Sequence, residues 1–224
     1  SFRVIEILSN YGYLFTLILL PVFSKMIKQG ESVEHLTRLS FTLLIVPAII
    51  ITFGCVSFRL EIMGALYQEH IQSSSRILGI HAFSFLGICI TYIFGTLLTA
   101  NGSLKHLNTM ASIAVIINIT LNIILIKRFG ITGAAVANAT TQLFTAAYQI
   151  ALTKRIFRFK TDFGILAKLA LFIALMAAGS ILSVNLPFAW YYSFGIYILV
   201  GGVLSLALGL IKLRSIYEIV LYNR

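Results

Sequence analysis

The sequence predicts an all-α fold, a polytopic bundle of about seven membrane-spanning helices, on three observations. The chain is 59% hydrophobic and only 11% charged over 224 residues, with a mean hydropathy of +0.97, whereas soluble domains carry about a quarter charged residues. Windows free of Asp, Glu, Lys and Arg recur at Ile7–Ser24, Leu39–Phe58, Ile77–Leu104, Leu107–Ile126, Phe129–Thr153 and Leu169–Ile211. A helix needs about 20 mostly apolar residues to cross the hydrocarbon core. The basic residues fall in the gaps between those windows, where charge orients helices. The net charge of +10 is therefore a topology signal, and no nucleic-acid partner is expected.

Each helix has its own justification. The first is expected over residues 1–23, where the apolar run closes on Pro21. The second spans 38–58, with Pro47 inside it removing one backbone hydrogen bond. The third and fourth cover 76–100 and 107–126, separated by the turn around Asn101 and Gly102. Gly130 divides the fourth from a fifth over 131–153. The last window is long enough for two helices, 165–184 and 191–211. Within it "VNLPFAWYYS" turns the chain at Asn185 and Pro187, and Trp190, Tyr191 and Tyr192 suit the headgroup level.

Sorting the basic residues by alternate connections gives an orientation. Lys25, Lys28, Arg38, Lys105, Lys154, Arg155, Arg158, Lys160, Lys168, Lys212, Arg214 and Arg224 share one side. Arg3, Arg59, Arg76, Lys127 and Arg128 share the other. The larger set marks the cytoplasm, so the amino end is expected outside and the carboxy end inside. The exterior connections are short, and only seven acidic residues exist. An enzyme is therefore not expected, nor is a metal, because His35, His70, His81, His106, Cys55 and Cys89 show no ligand spacing. A seven-helix receptor is disfavoured, since the last spanning segment has no Lys to hold a retinal.

Three stretches carry a family resemblance. "LILLPVFSKM" (Leu17 to Met26) is an apolar helix closing on Pro, a small residue and a basic one. "LTANGSLKHLN" (Leu98 to Asn108) is a short turn after a long helix. "NITLNIILIKRFGITGAAVANATTQL" (Asn118 to Leu143) joins an Asn-rich helix, a basic break and Gly-Ile-x-Gly-Ala-Ala. In order and spacing they resemble the carboxy-terminal half of polysaccharide-unit (O-antigen, lipid-linked oligosaccharide) flippases. That family belongs to the multidrug/oligosaccharidyl-lipid/polysaccharide exporter superfamily, and the resemblance runs from about Arg3 to Arg155.

The resemblance implies a lobe over 1–156 and an additional helix pair with a cytoplasmic tail over 157–224. The amino-terminal lobe is expected to be missing here, or replaced by a second protomer. It implies export of lipopolysaccharide or other polysaccharide repeat units across a bacterial inner membrane by alternating access. The substrate would be a lipid-linked oligosaccharide with a pyrophosphate headgroup, among membrane lipids. No cofactor is implied, and coupling to an ion gradient or the membrane potential is left open. The alternatives are a multidrug or cation antiporter of the same superfamily, or an inactive truncated remnant.

Candidate cavity residues follow. Arg3 and Glu6 share a helix face at three-residue spacing, and the related lipid II flippases carry a similar Arg-x-x-Glu facing their cavity. An arginine fork suits phosphate oxygens, while the plain alternative is the exterior end of a helix. Asn118 and Asn122 share a face at four-residue spacing. Asn138 and Gln142 belong to a polar girdle with Thr140 and Thr141. Amides inside hydrocarbon seek partners on neighbouring helices, so these four either fasten helices together or line the path. The segment "TKRIFRFKTDF" (Thr153 to Phe163) interleaves basic and aromatic residues, a pattern that meets anionic headgroups as well as the inside charge bias.

Overall fold

A computed structural model describes residues 2–159 and 162–211, with side chains from Gly12 onward. Arg3 and Glu6 fall on the backbone of the first helix, but their side chains lie outside the described residues. So do Lys160 and the tail from Lys212. Eight helices and no strand appear among the described residues: α1 Phe2–Gln29, α2 Glu34–Ser57, α3 Arg59–Leu66, α4 Ile71–Ala100, α5 Leu104–Phe129, α6 Ile131–Phe157, α7 Phe163–Val184 and α8 Trp190–Ala207. Seven are long, in the order the apolar windows predict. Five of them (α2, α4, α5, α7 and α8) are long and apolar enough to cross a membrane by length and composition. The 27-residue α6 is long enough too, but Asn138, Thr140, Thr141, Gln142 and Gln149 dilute its apolar content.

Two local features differ from the sequence reading. The first helix does not stop at residue 23. It passes through Pro21, whose missing N–H costs one bond, and continues to Gln29. Gly30 ends it at φ +71°, donating to the Ile27 carbonyl at 3.2 Å while Glu31 donates to Met26 at 2.9 Å. This is the glycine closure that satisfies last-turn carbonyls. The second difference is α3, eight residues inside what reads as a plain exterior connection. Phe58 and Met63 anchor it, 1% and 0% exposed. Two apolar anchors five residues apart are too few to make a window of their own.

The bundle is built around α2 and α4. Helix α4 packs against α1, α2, α3 and α6, and α5 lies mainly against α6. The apolar positions of α2 serve two cores. Leu44 and Ala48 join Leu19 and Phe23 of α1 and Phe85, Ile93 and Leu97 of α4. Ile45, Ile49 and Ile50 join Phe172 and Met176 of α7 and Tyr197 of α8. A helix apolar all round is either buried among neighbours or turned to lipid. In its most apolar stretch α2 is 61% buried, against 6% for α5, which places α5 at the edge of the bundle.

Small residues set the closest approaches. At Gly87 of α4, an added β-carbon would stand 3.0 Å from the carbonyl oxygen of Gln142 on α6. At Gly133, in the first turn of α6, it would stand 2.2 Å from the Leu125 carbonyl oxygen of α5. Without a water-driven force between helices in lipid, such contact is what dispersion needs to hold a bundle.

Candidate functional site

The polar residues of α5 and α6 meet in one hydrogen-bonded relay. Asn122 Nδ2 donates to both the side-chain oxygen and the backbone carbonyl of Asn118, each at 2.9 Å. Asn118 Nδ2 donates across the helix boundary to Thr141 Oγ1 at 3.1 Å. The Thr141 hydroxyl passes the chain on to the Ala137 carbonyl at 2.8 Å. Four-residue spacing places Asn118 over Asn122, and the tight turn at Gly130, with Gly133 against Leu125, sets the register that brings Thr141 opposite. All three side chains are half-buried. The Asn118–Thr141 bond holds α5 to α6 and keeps polar oxygens at the edge of the bundle.

The other predicted residues do not join this relay through any hydrogen bond among the described residues. Asn138 lines a cavity of about 220 Å³ with Ile77, His81, Ile131, Ala134 and Ala135, between α4 and α6. Gln142 contributes its backbone to the contact with Gly87. Arg3 and Glu6 sit near the start of α1, whereas the Asn118 relay lies on α5 and α6, and their side chains lie outside the described residues.

A second polar cluster escaped the sequence reading. At the end of the bundle where α2 and α7 begin, Arg38 donates to Glu34 Oε1 and to Asp162 Oδ2, both at 2.7 Å. Asp162 also caps α7, accepting from the backbone N–H of Gly164 at 3.0 Å and of Ile165 at 3.2 Å. One carboxylate thus satisfies two orphan amides of a helix start and ties that start to α2. The signals were present: an Asp directly before an apolar run and a Glu four residues before an Arg. Their conjunction spans 124 residues of sequence, which no local pattern contains.

Comparison with known proteins adds two findings. A family model for the lipid II flippase MurJ matches residues 11–214. A curated relative, the probable low-salt glycan biosynthesis flippase Agl15 of Haloferax volcanii, is 36% identical over 112 residues. That stretch is 50% of this chain and 23% of the relative, so the chain spans less than a quarter of that protein's length. Both similarities are to flippases, one of lipid II and one of glycan biosynthesis.

Proposed function

This chain belongs to the MurJ family of lipid II flippases, and from that premise we propose that it serves in translocating a lipid-linked polysaccharide repeat unit across the membrane. The observation that carries the reading is the family match over 11–214, which covers every described helix for most of its length. The bundle supplies helices and short connections, the parts a carrier of this kind needs. In this reading the chain is a carboxy-terminal lobe, α1 to α6, with α7 and α8 as an additional pair. Its counterpart lobe is another segment of the protein or a second protomer. Alternating access then consists of one lobe rocking against the other, with close glycine contacts such as Gly87 on Gln142 keeping each lobe rigid.

Arg3 is proposed as the phosphate ligand, with Glu6 one turn along α1 holding it. A guanidinium donates two parallel bonds to pyrophosphate oxygens, a geometry lysine cannot reproduce. Asn118, Asn122, Asn138 and Gln142 are proposed as neutral contacts along the path for sugar hydroxyls. The test is complementation by the full-length protein in two bacterial hosts, one lacking a surface-polysaccharide flippase and one depleted of its lipid II flippase. Rescue of the first host is expected, and Arg3→Ala should abolish surface polymer while protein level is kept. Rescue of only the second host would redirect the substrate to the cell-wall precursor. Unchanged polymer with Arg3→Ala would remove Arg3 from the site.

The proposed orientation places the α6–α7 connection in the cytoplasm of an inner-membrane protein. With Cys55→Ser and Cys89→Ser in the background, Arg155→Cys is expected to resist an impermeant thiol reagent in intact cells and to react after lysis. Prompt labelling in intact cells would invert the topology.

A further inference from the structure

Asn118 and Asn122 are bonded to one another and to Thr141, whereas the Asn138 carboxamide makes no hydrogen bond among the described residues. It is half-buried and lines the cavity of about 220 Å³ between α4 and α6. His81, 7% exposed, lines the same cavity from α4. The remaining walls are Ile77, Ile131, Ala134 and Ala135. A carboxamide carries two donors and an acceptor, and a neutral imidazole one of each. With two ring nitrogens, His81 can serve the bundle with one and the cavity with the other. An amide withdrawn from water is costly until it is bonded, so Asn138 is a polar group poised for a ligand.

None of the lining residues is acidic, and none is Lys or Arg. The cavity therefore sets directed neutral donors and acceptors against aliphatic walls, with no fixed charge to hold an ion. That combination matches an uncharged sugar ring, whose hydroxyls donate and accept and whose C–H faces lie on alkyl carbon. A volume of about 220 Å³ is below the about 300–1,000 Å³ of a site that encloses a whole small ligand, so it admits one ring of a larger molecule. Position favours the same occupant. Gly87 of α4 faces Gln142 of α6, and Gly95 faces Gln149, so the two helices run in the same direction with Asn138 about level with Phe83. Gly12 of α1 lies against Tyr92 of α4, and α1 also runs in the direction of α4, because α2 returns the chain between them. The α1 backbone at Arg3 is then about level with Phe83 too. An anion bound near the start of α1 and a ring bound in the cavity share one depth of the bundle.

We propose that the cavity between α4 and α6 is a site for one neutral sugar ring, with the Asn138 carboxamide and the His81 imidazole bonding its hydroxyls and Ile77, Ile131 and Ala134 lying on its carbon face. This deepens the transport reading and rests on it for the source of the ring, a lipid-linked glycan. His81 joins Asn138 as a specificity-determining residue, and a ring bearing a carboxylate or an ammonium is disfavoured because no opposite charge lines the cavity.

The experiment uses the whole chain with Cys55→Ser and Cys89→Ser, held in the sugar-free detergent lauryldimethylamine oxide. Ala134→Cys places one thiol in the cavity wall, and its rate of reaction with a maleimide is followed. Octyl glucoside should slow the reaction in a saturable way, while the octyl ether of tetraethylene glycol, with the same tail and no sugar, should not. Gly202→Cys on α8, with open space at its β-carbon, should respond to neither. Asn138→Ala should raise the half-protecting concentration of octyl glucoside about fivefold, the effect of one ordinary hydrogen bond lost. Its melting temperature should stay unchanged, since that carboxamide holds nothing in the bundle, and His81→Leu should weaken protection as well. Equal slowing by the two octyl compounds, or protection undiminished by Asn138→Ala, would overturn the proposal. The labelling requires no transport. Sugar protection in a chain whose full-length protein rescues neither host would keep this site and remove the transport reading, whereas rescue without sugar protection would remove this site alone.

Discussion

Gly133→Val is expected to unfasten α5 from the rest of the bundle. A β-carbon at Gly133 would meet the Leu125 carbonyl oxygen at 2.2 Å, its carbon at 2.5 Å and the Ile126 nitrogen at 3.0 Å. All three are backbone atoms of the final turns of α5, and backbone cannot swing aside as a side-chain tip can. Relief requires the two helices to part, and the Gly130 link between them is a single residue. Parting them also stretches the Asn118–Thr141 hydrogen bond, which depends on the same register. The cost should approach about 3 kcal/mol, the upper part of the usual range for overpacking. It is measured as a shift in the midpoint of a dodecyl sulfate titration of the micellar protein, followed by circular dichroism. Gly133→Ala should show most of the loss, because the first carbon already collides. A midpoint unchanged by valine would mean that this turn is not the constraint described.

Gly87→Leu strikes the other main seam, where α4 meets α6. There the added β-carbon would stand 3.0 Å from the Gln142 carbonyl oxygen, 3.1 Å from its carbon and 3.3 Å from its own β-carbon. Those distances are tight rather than impossible, so alanine should cost little and leucine about 2 kcal/mol, because its further carbons have nowhere to go. The contrast between the two substitutions is the informative measurement. Both equally damaging would place the strain in the backbone. Both harmless would mean that α4 and α6 are separable, contrary to the buried Ala135, Ala139 and Ala146 along α6. Rescue by the full-length protein in the proposed complementation should fall with leucine as well, since α4 is the helix on which α1, α2, α3 and α6 all rest.

Particular residues show why some of this was legible beforehand. The boundaries at Asn101–Gly102, Gly130 and Asn185–Pro187 were readable because turn-forming residues interrupt apolar runs there, and both halves of that signal are local. The Asn118–Asn122 pair was readable because helical periodicity alone puts them on one face. Thr141 as their partner was not, because it lies 23 residues from Asn118, and which rung of α6 faces Asn118 depends on a helix crossing. The end of α1 was misplaced because Pro21 is a strong stop signal, yet a proline removes only its own donor. The glycine closure at Gly30 decides where the helix ends. The short α3 was missed because its stability comes from Phe58 and Met63 buried against neighbours, not from its own periodicity.

By itself, the sequence determined that this chain is a membrane helix bundle, the order and approximate ends of its long helices, and which amides share a face. Those properties follow from apolar content, spacing and charge distribution, each of which acts over a turn or two of helix. Only the tertiary structure decided that α2 carries two cores while α5 stands at the edge, that Asn118 finds Thr141, and that Arg38, Glu34 and Asp162 close one corner of the bundle. Within lipid every apolar face is equally at home against a neighbour or a chain. Partner choice is therefore left to small residues and polar pairs whose register only the packed bundle sets.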